Sequence, residues 1–214
     1  MRGQDSIVIL PTGGGKSLCF QAPAVAMQGL AIVVSPLISL MKDQVDALLE
    51  CGISAARLDS SLEPHEQEAV MTQIHNQTLK LLYLAPERLI SDYFLTLLQS
   101  SNLSFIAIDE AHCVSMWGHD FRPEYRQLGQ LKKIFPGVTI GAYTATATAP
   151  VRKDIAEQLH LDAPEVLVGS FDRPNLAWHI GRAEDHGSKV RVIRRMVREE
   201  KGAVVVYVGT RRVV

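Results

Sequence analysis

Lys16 and Ser17 close a run of glycines, Gly13, Gly14 and Gly15, that follows Pro11 and Thr12. Residues of these types in this order bind phosphate. Glycine adopts the backbone angles that turn N–H groups toward an anion without a Cβ clash. A helix that starts at the same point adds positive partial charge. Lys16 then reaches the β- and γ-phosphates of a nucleoside triphosphate, and the Ser17 hydroxyl ligates Mg²⁺. The long form of the pattern asks for glycine at position 10, where the chain has Leu10; the short form Thr-Gly-x-Gly-Lys-Ser is complete over residues 12–17. A flexible glycine turn is the plain alternative, and the Lys-Ser pair after an apolar run argues against it.

A second set of chemically capable residues lies far downstream. Asp109 and Glu110 end the apolar run 103–108, and His112 follows. In an open α/β sheet, ligands sit at the carboxyl ends of strands. Asp109 offers the hard oxygen that Mg²⁺ prefers, Glu110 orients and deprotonates an attacking water, and His112 links them to neighbouring groups. An isolated Asp-Glu pair is commonly a polar loop. Partnership with the glycine loop makes it half of a triphosphate site, provided that Lys16, Ser17, Asp109 and Glu110 converge on one pocket.

Other candidates are weaker singly. Trp117, Phe121 and Tyr125 lie in a Gly- and Pro-interrupted stretch with His119, Arg122 and Arg126. Exposed rings stack on single-stranded bases for about 1–3 kcal/mol each, and Arg122 adds a phosphate or stacking contact; the alternative is that these rings pack the loop onto a core. Thr144 and Thr146 are placed to hydrogen-bond the 109–112 segment. Ser35, Lys42 and Arg88 are candidate contacts to a nucleic-acid backbone at loop ends. Lys189, Arg191, Arg194, Arg195 and Arg198 read as the solvated side of an amphipathic helix.

Positioning these residues requires alternating strands and helices. Apolar, β-branched runs at 6–10, 30–35, 55–58, 79–84, 103–108 and 138–143 read as strands. Helical spacing covers 16–27, 38–50, 63–77, 89–98 and 126–135, and Pro150 opens another helix. This β-α order predicts a parallel sheet with helices on both faces. The pattern breaks near 170–175. Beyond it a strand (176–180), a helix (188–201) and a strand (203–208) read as the opening of a second α/β domain.

Residues 11–21 (PTGGGKSLCFQ), the box Asp109 to His112 and residues 144–147 (TATA) resemble the motifs of superfamily 2 DNA helicases. Residues 113–125 (CVSMWGHDFRPEY), directly after the box, resemble the aromatic-rich loop of the RecQ family. Residues 35–44 and 85–88 resemble two further helicase motifs, and 171–175 (FDRPN) resembles the family's crossing into its second RecA-like domain. The resemblance implies an α/β fold: a RecA-like P-loop NTPase domain over 1–170, lacking its N-terminal part, then a linker and the incomplete start of a second RecA-like domain over 171–214. It implies an ATP-dependent 3'-5'-type DNA helicase that uses ATP and Mg²⁺, acts on single-stranded and duplex DNA in repair and recombination, and couples DNA to hydrolysis through the aromatic loop. The family also carries an adenine-reading glutamine motif, arginine-bearing motifs in the second domain and zinc-binding modules, none of which falls within residues 1–214. An arginine finger is worth about 10³–10⁵ in turnover, so the expectation is weak ATP·Mg²⁺ binding, very slow hydrolysis and no unwinding by these residues alone. The rival reading is a non-catalytic nucleotide- or nucleic-acid-binding fragment.

Composition limits the partners. Lysine plus arginine is 22 against 23 aspartate plus glutamate in 214 residues, a net charge of −1, so any DNA contact must be focal rather than polybasic. Cys19, Cys51 and Cys113 form no Cys-x-x-Cys pair, which reads as a reduced, intracellular protein without zinc. No apolar run is long enough to span a membrane, and residues 1–5 show no signal-peptide pattern. The expected location is the cytoplasm, with nucleoid association in a bacterium.

Overall fold

Each apolar run alternates between two buried layers, which is why it has few polar positions. Ile7, Ile9, Ile32, Val34, Ile106 and Ile108 enter one core cluster, while the intervening Val8, Ala31, Val33, Phe105 and Ala107 enter the other. A strand covered on both faces reads as continuously hydrophobic and belongs to a parallel sheet. In the computed structural model, residues 3–118, 120–170, 172, 175–183, 185–199 and 202–207 are described. They fall in two compact units, Met1–Phe171 and Asp172–Val214.

The first unit is built on β1 (Ser6–Ile9), β2 (Leu30–Val34), β3 (Ala55–Leu58), β4 (Leu81–Leu84), β5 (Leu103–Ile108), β6 (Thr139–Thr144) and β7 (Glu165–Val168). Their order across the sheet is β3-β4-β2-β5-β6-β1-β7, and every pairing is parallel. The connecting helices are α1 (Leu18–Ala26), α2 (Ile38–Glu50), α3 (Pro64–His75), α4 (Pro86–Leu89), α5 (Asp92–Gln99), α6 (Pro123–Arg126), α7 (Leu131–Ile134) and α8 (Ala149–Gln158). Phe20, Met41, Val45 and Leu48 bring α1 and α2 onto one face of the sheet. Ile74, Phe94, Leu98, Leu131, Val151 and Ile155 bring α3, α5, α7 and α8 onto the other. This is the three-layer α/β architecture that the alternating pattern predicts.

The amino edge of the sheet is closed by one carboxylate. Asp5 is 3% exposed. It accepts the Lys132 ammonium at 2.8 Å and the backbone N–H groups of Ile140 (2.9 Å) and Asp162 (2.8 Å). Segments far apart in the chain are thereby tied at one buried point.

Several elements differ from the sequence reading. The strand β7 has no counterpart there; its exposed residues lie at the sheet edge, paired only with β1, so they lack the buried pattern that marks a strand. The helix expected over 126–135 is three short pieces, α6, a 3-10 turn at Gln127–Gln130 and α7. The stretch 89–98 divides between α4 and α5, because Pro86 opens a short first helix and the chain turns extended at Ser91 before the second.

In the second unit, α9 (His186–Glu199) forms where a helix was expected, with no buried residue. Residues 176–180 and 203–207 are not strands. Ile180 is fully exposed and Tyr207 nearly so; a strand needs a ladder partner and a covered face, and among the described residues these runs have neither. Val208, His119 and three residues of the 171–175 crossing (Phe171, Arg173, Pro174) lie outside the described residues.

Candidate nucleotide site and aromatic loop

Three adjacent strands carry the candidate chemistry to one edge. The glycine loop leaves β1, the segment 144–148 leaves β6, and the acid box leaves β5. Residues 94 apart in sequence (Lys16 and Glu110) and 32 apart (His112 and Thr144) therefore meet, since parallel strands all end at the same side of a sheet.

Gly13 and Gly15 both adopt positive φ (80° and 78°), a conformation that favours glycine over residues with a Cβ. Between them, the Gly14 N–H donates to the Pro11 carbonyl at 2.8 Å. This differs from the expected inward-facing donor: the loop satisfies that N–H within its own turn. Thr12 is exposed. Lys16 extends away from the loop to the acid box, where its ammonium lies 3.5 Å from Glu110 Oε1. Ser17 starts α1 without a side-chain cap bond and lines a shallow cleft with Gln21 and Gln44. Lysine and acids are thus brought together; for Ser17 the structure gives a place at the loop's end rather than a contact with Asp109.

The acid box is buried and strained. Asp109 is 2% exposed, and its backbone is held by Val34 O at 2.8 Å and by the Tyr125 hydroxyl, which donates to Asp109 O at 3.1 Å. Its carboxylate accepts only the neighbouring Glu110 N–H among the described side-chain bonds, at 2.9 Å. Burial, reinforced by the Glu110 charge and offset in part by Lys16, pushes its pKa up to about 6. Glu110 sits in the left-handed region (φ 48°, ψ 43°), which costs a non-glycine residue free energy and is typical of functional positions. A hydrogen bond from His112 and the Lys16 charge hold the Glu110 carboxyl below its ordinary range.

His112 is the junction. Its Nδ1 lies 2.9 Å from Thr144 Oγ1 and 3.3 Å from Glu110 Oε2. The Thr144 hydroxyl in turn donates to Thr146 O at 3.2 Å. Thr144 thus reaches the acid box directly, whereas Thr146 is joined to it only through Thr144. His112, Cys113 and Asp120 also bring possible metal-ligand atoms within 4.8 Å of one another, a grouping that spacing in the sequence hides. Burial pushes the Cys113 thiol up to about 12, which disfavours the thiolate that a metal needs.

The aromatic stretch divides by exposure. Trp117 is 79% exposed. Phe121 is partly exposed, with the Arg126 guanidinium 5.6 Å from its ring centre. Tyr125 is fully buried against the acid box, so its ring is a core residue and not a stacking platform. Arg122 pairs with Asp120 at 3.1 Å and donates to Pro36 O at 3.3 Å. Ser35 is also corrected: it is buried at the end of β2, with a hydroxyl that has no hydrogen-bond partner, and is not placed to touch a nucleic-acid backbone. Arg88 is exposed and bonds Gln67 at 3.0 Å; Lys42 pairs with Asp46 at 3.0 Å. Two contacts had no sequence signal: Ser115 Oγ donates to Asp154 at 2.6 Å, and Gln21 donates to the buried Tyr83 hydroxyl at 2.9 Å. Among the described residues no helix is long and apolar enough to cross a membrane.

The fold is that of RecA-like helicase domains. The crystal structure of the DUF1998 helicase MrfA superposes with a TM-score of 0.74 at 20% identity, covering 99% of this chain and 34% of that one. The Hef helicase domain of Pyrococcus furiosus gives 0.58 at 15% identity over 80% of this chain and 36% of that one. A family profile described as DEAD/DEAH box helicase matches residues 1–155. The chain belongs to the DEAD/DEAH box helicase family, in the RecQ group of superfamily 2. It is 54% identical to the ATP-dependent DNA helicase RecQ of Pasteurella multocida over 83% of this chain, and 46% identical to that of Haemophilus influenzae over 99%. A probable ATP-dependent DNA helicase RecS of Bacillus subtilis is 44% identical over 99%. The chain spans 28%, 34% and 42% of the lengths of these relatives.

Proposed function

We propose that this chain is the ATP-binding part of a RecQ-type DNA helicase, which couples ATP hydrolysis to 3'-5' strand separation. The observation that carries the reading is the meeting of Lys16 with Glu110 at 3.5 Å beside a buried Asp109. In this reading residues 1–170 are the first RecA-like domain, and 171–214 are the linker and opening of a second.

Thr12 to Ser17 cradle the triphosphate. An incoming phosphate displaces the Gly14–Pro11 bond and competes with Glu110 for Lys16. Glu110, released from Lys16 and still bonded by His112, orients the attacking water and takes its proton. Mg²⁺ fits the donor set: a buried carboxylate with one local bond, pressed by a second acid, is an under-compensated negative site of hard oxygens. Asp109 and Ser17 would hold the ion, which supplies positive charge to the phosphates during transfer.

On the nucleic-acid side, Trp117 and Phe121 stack on single-stranded bases, and Arg122 and Arg88 contact phosphates. Thr144 and Thr146 couple the two sides through His112. Single-stranded and duplex DNA are the partners, and the site of action is chromosomal DNA, with a cytoplasmic location and nucleoid association if the source is a bacterium.

Single-turnover ATP hydrolysis, with and without single-stranded DNA, tests the reading. Replacing Glu110 by Gln should lower the DNA-stimulated rate by about 10²–10⁴ and leave ATP·Mg²⁺ binding in place. A variant that hydrolyses ATP like the parent defeats the proposal, and a parent that binds without turnover supports the non-catalytic alternative.

A further inference from the structure

The aromatic loop is fastened to helix α8 by a bond that the proposed hydrolysis site does not use. Ser115 is fully buried, and its hydroxyl donates to Asp154 Oδ2 at 2.6 Å. The same Ser115 oxygen accepts the Trp117 N–H at 3.2 Å. Asp154 is steadied from its own helix by Gln158, which donates to Oδ1 at 3.1 Å. The turn between these residues is tight: Gly118 N–H donates to Ser115 O at 3.0 Å, and a Cβ on Gly118 would meet His112 O at 2.4 Å.

Helix α8 also begins at the junction with the acid box. It follows the segment 144–148, whose Thr144 hydroxyl lies 2.9 Å from His112. The box and α8 are therefore joined at two points, His112–Thr144 and Ser115–Asp154. Between them a cleft of about 440 Å³ is lined by His112, Trp117, Gly118, Thr146, Thr148 and Val151. Thr144 leads through residues 145–148 into α8, α8 carries Asp154, Asp154 holds Ser115, and Ser115 holds the Trp117 backbone.

We propose that Ser115 and Asp154 form a positioning pair that transmits the nucleotide state of the acid box to Trp117. This deepens the function proposed above and rests on it. Neither residue touches the nucleotide or its water. When ATP draws Lys16 from Glu110, the rearrangement at His112 and Thr144 reaches the exposed indole through this bond. Without it the loop keeps its fold, held by Arg122 and Tyr125, but loses register with α8.

The test uses the whole 214-residue chain. The chain has two tryptophans, so a Trp178→Phe background leaves Trp117 as the sole indole reporter. In that background, ATP·Mg²⁺ should change Trp117 emission and its quenching by acrylamide. Ser115→Ala should abolish that response and lower the ratio of DNA-stimulated to basal ATP turnover about 5- to 100-fold, with nucleotide affinity and basal turnover unchanged and the melting temperature lowered by the loss of one buried hydrogen bond. Asp154→Asn keeps an acceptor for Ser115 and should retain most of the response; Asp154→Leu should behave like Ser115→Ala. The pair is overturned if Ser115→Ala keeps the parent response, or if basal turnover and nucleotide affinity fall together with stimulation, which marks a merely structural bond. A parent chain that binds ATP without any change at Trp117 also overturns it. A parent that does not bind ATP fails the function proposal itself, a result that nucleotide titration separates from the others.

Discussion

The two ends of the sheet each bury an aspartate, and they treat it in opposite ways. At the amino edge Asp5 has a lysine and two remote backbone N–H groups for its oxygens. At the carboxyl edge Asp109 is equally buried, yet it accepts one bond from its own neighbour and faces Glu110. One carboxylate is satisfied by the fold. The other is left short of partners, a state that stores unfavourable free energy where an added cation relieves it. Burial alone therefore does not separate the two acids; the supply of donors does.

The comparison is broken or sharpened by stability measurements on metal-free protein. The largest effect is expected for Asp5→Ala. Removing one partner of a buried pair costs about 3–5 kcal/mol, so chemical denaturation should show a loss of that order; a loss under about 1 kcal/mol, the usual range for an exposed pair, would erase the distinction.

Asp109→Asn should do the reverse and stabilise the chain by about 1–3 kcal/mol at neutral pH, given about 1.4 kcal/mol per pH unit of displaced pKa. The sign follows from linkage. A carboxyl whose folded pKa is raised to about 6 is penalised in the fold above that pH. The penalty fades as pH falls through 6 and vanishes below the unfolded value. The advantage of Asn over Asp should therefore shrink between pH 7 and pH 4, as read from melting curves; an advantage independent of pH would assign it to packing instead.

The smallest effect belongs to Tyr125→Phe, which deletes the hydroxyl bonded to the Asp109 carbonyl at 3.1 Å. A neutral buried hydrogen bond contributes about 0.5–1.5 kcal/mol. A loss in that range, with ATP·Mg²⁺ affinity retained, would show that Tyr125 supports the strand end without taking part in binding; a loss of affinity with unchanged stability would place it in the site.

Much of this was legible before any coordinates. The apolar runs named six of the seven strands of the sheet, because burial on both faces leaves a local mark. The glycine loop and acid box were legible because consecutive glycines before Lys-Ser, and paired acids at the end of an apolar run, stand out at single positions. The edge strand β7 left no such mark, since its side chains stay exposed. The runs 176–180 and 203–207 were misread for the complementary reason: β-branched residues favour a strand but cannot form one without a ladder partner.

The sequence by itself determined the parallel α/β class, the glycine loop and the acids of the proposed site, because each is encoded within a few consecutive residues. Only the tertiary structure decided that Lys16 meets Glu110, that Tyr125 and Ser35 face inward while Trp117 faces out, and that Ser115 is bolted to Asp154. Those facts depend on which strands become neighbours and on which donors reach a buried oxygen. Such pairings form between residues tens of positions apart, and no local pattern records them.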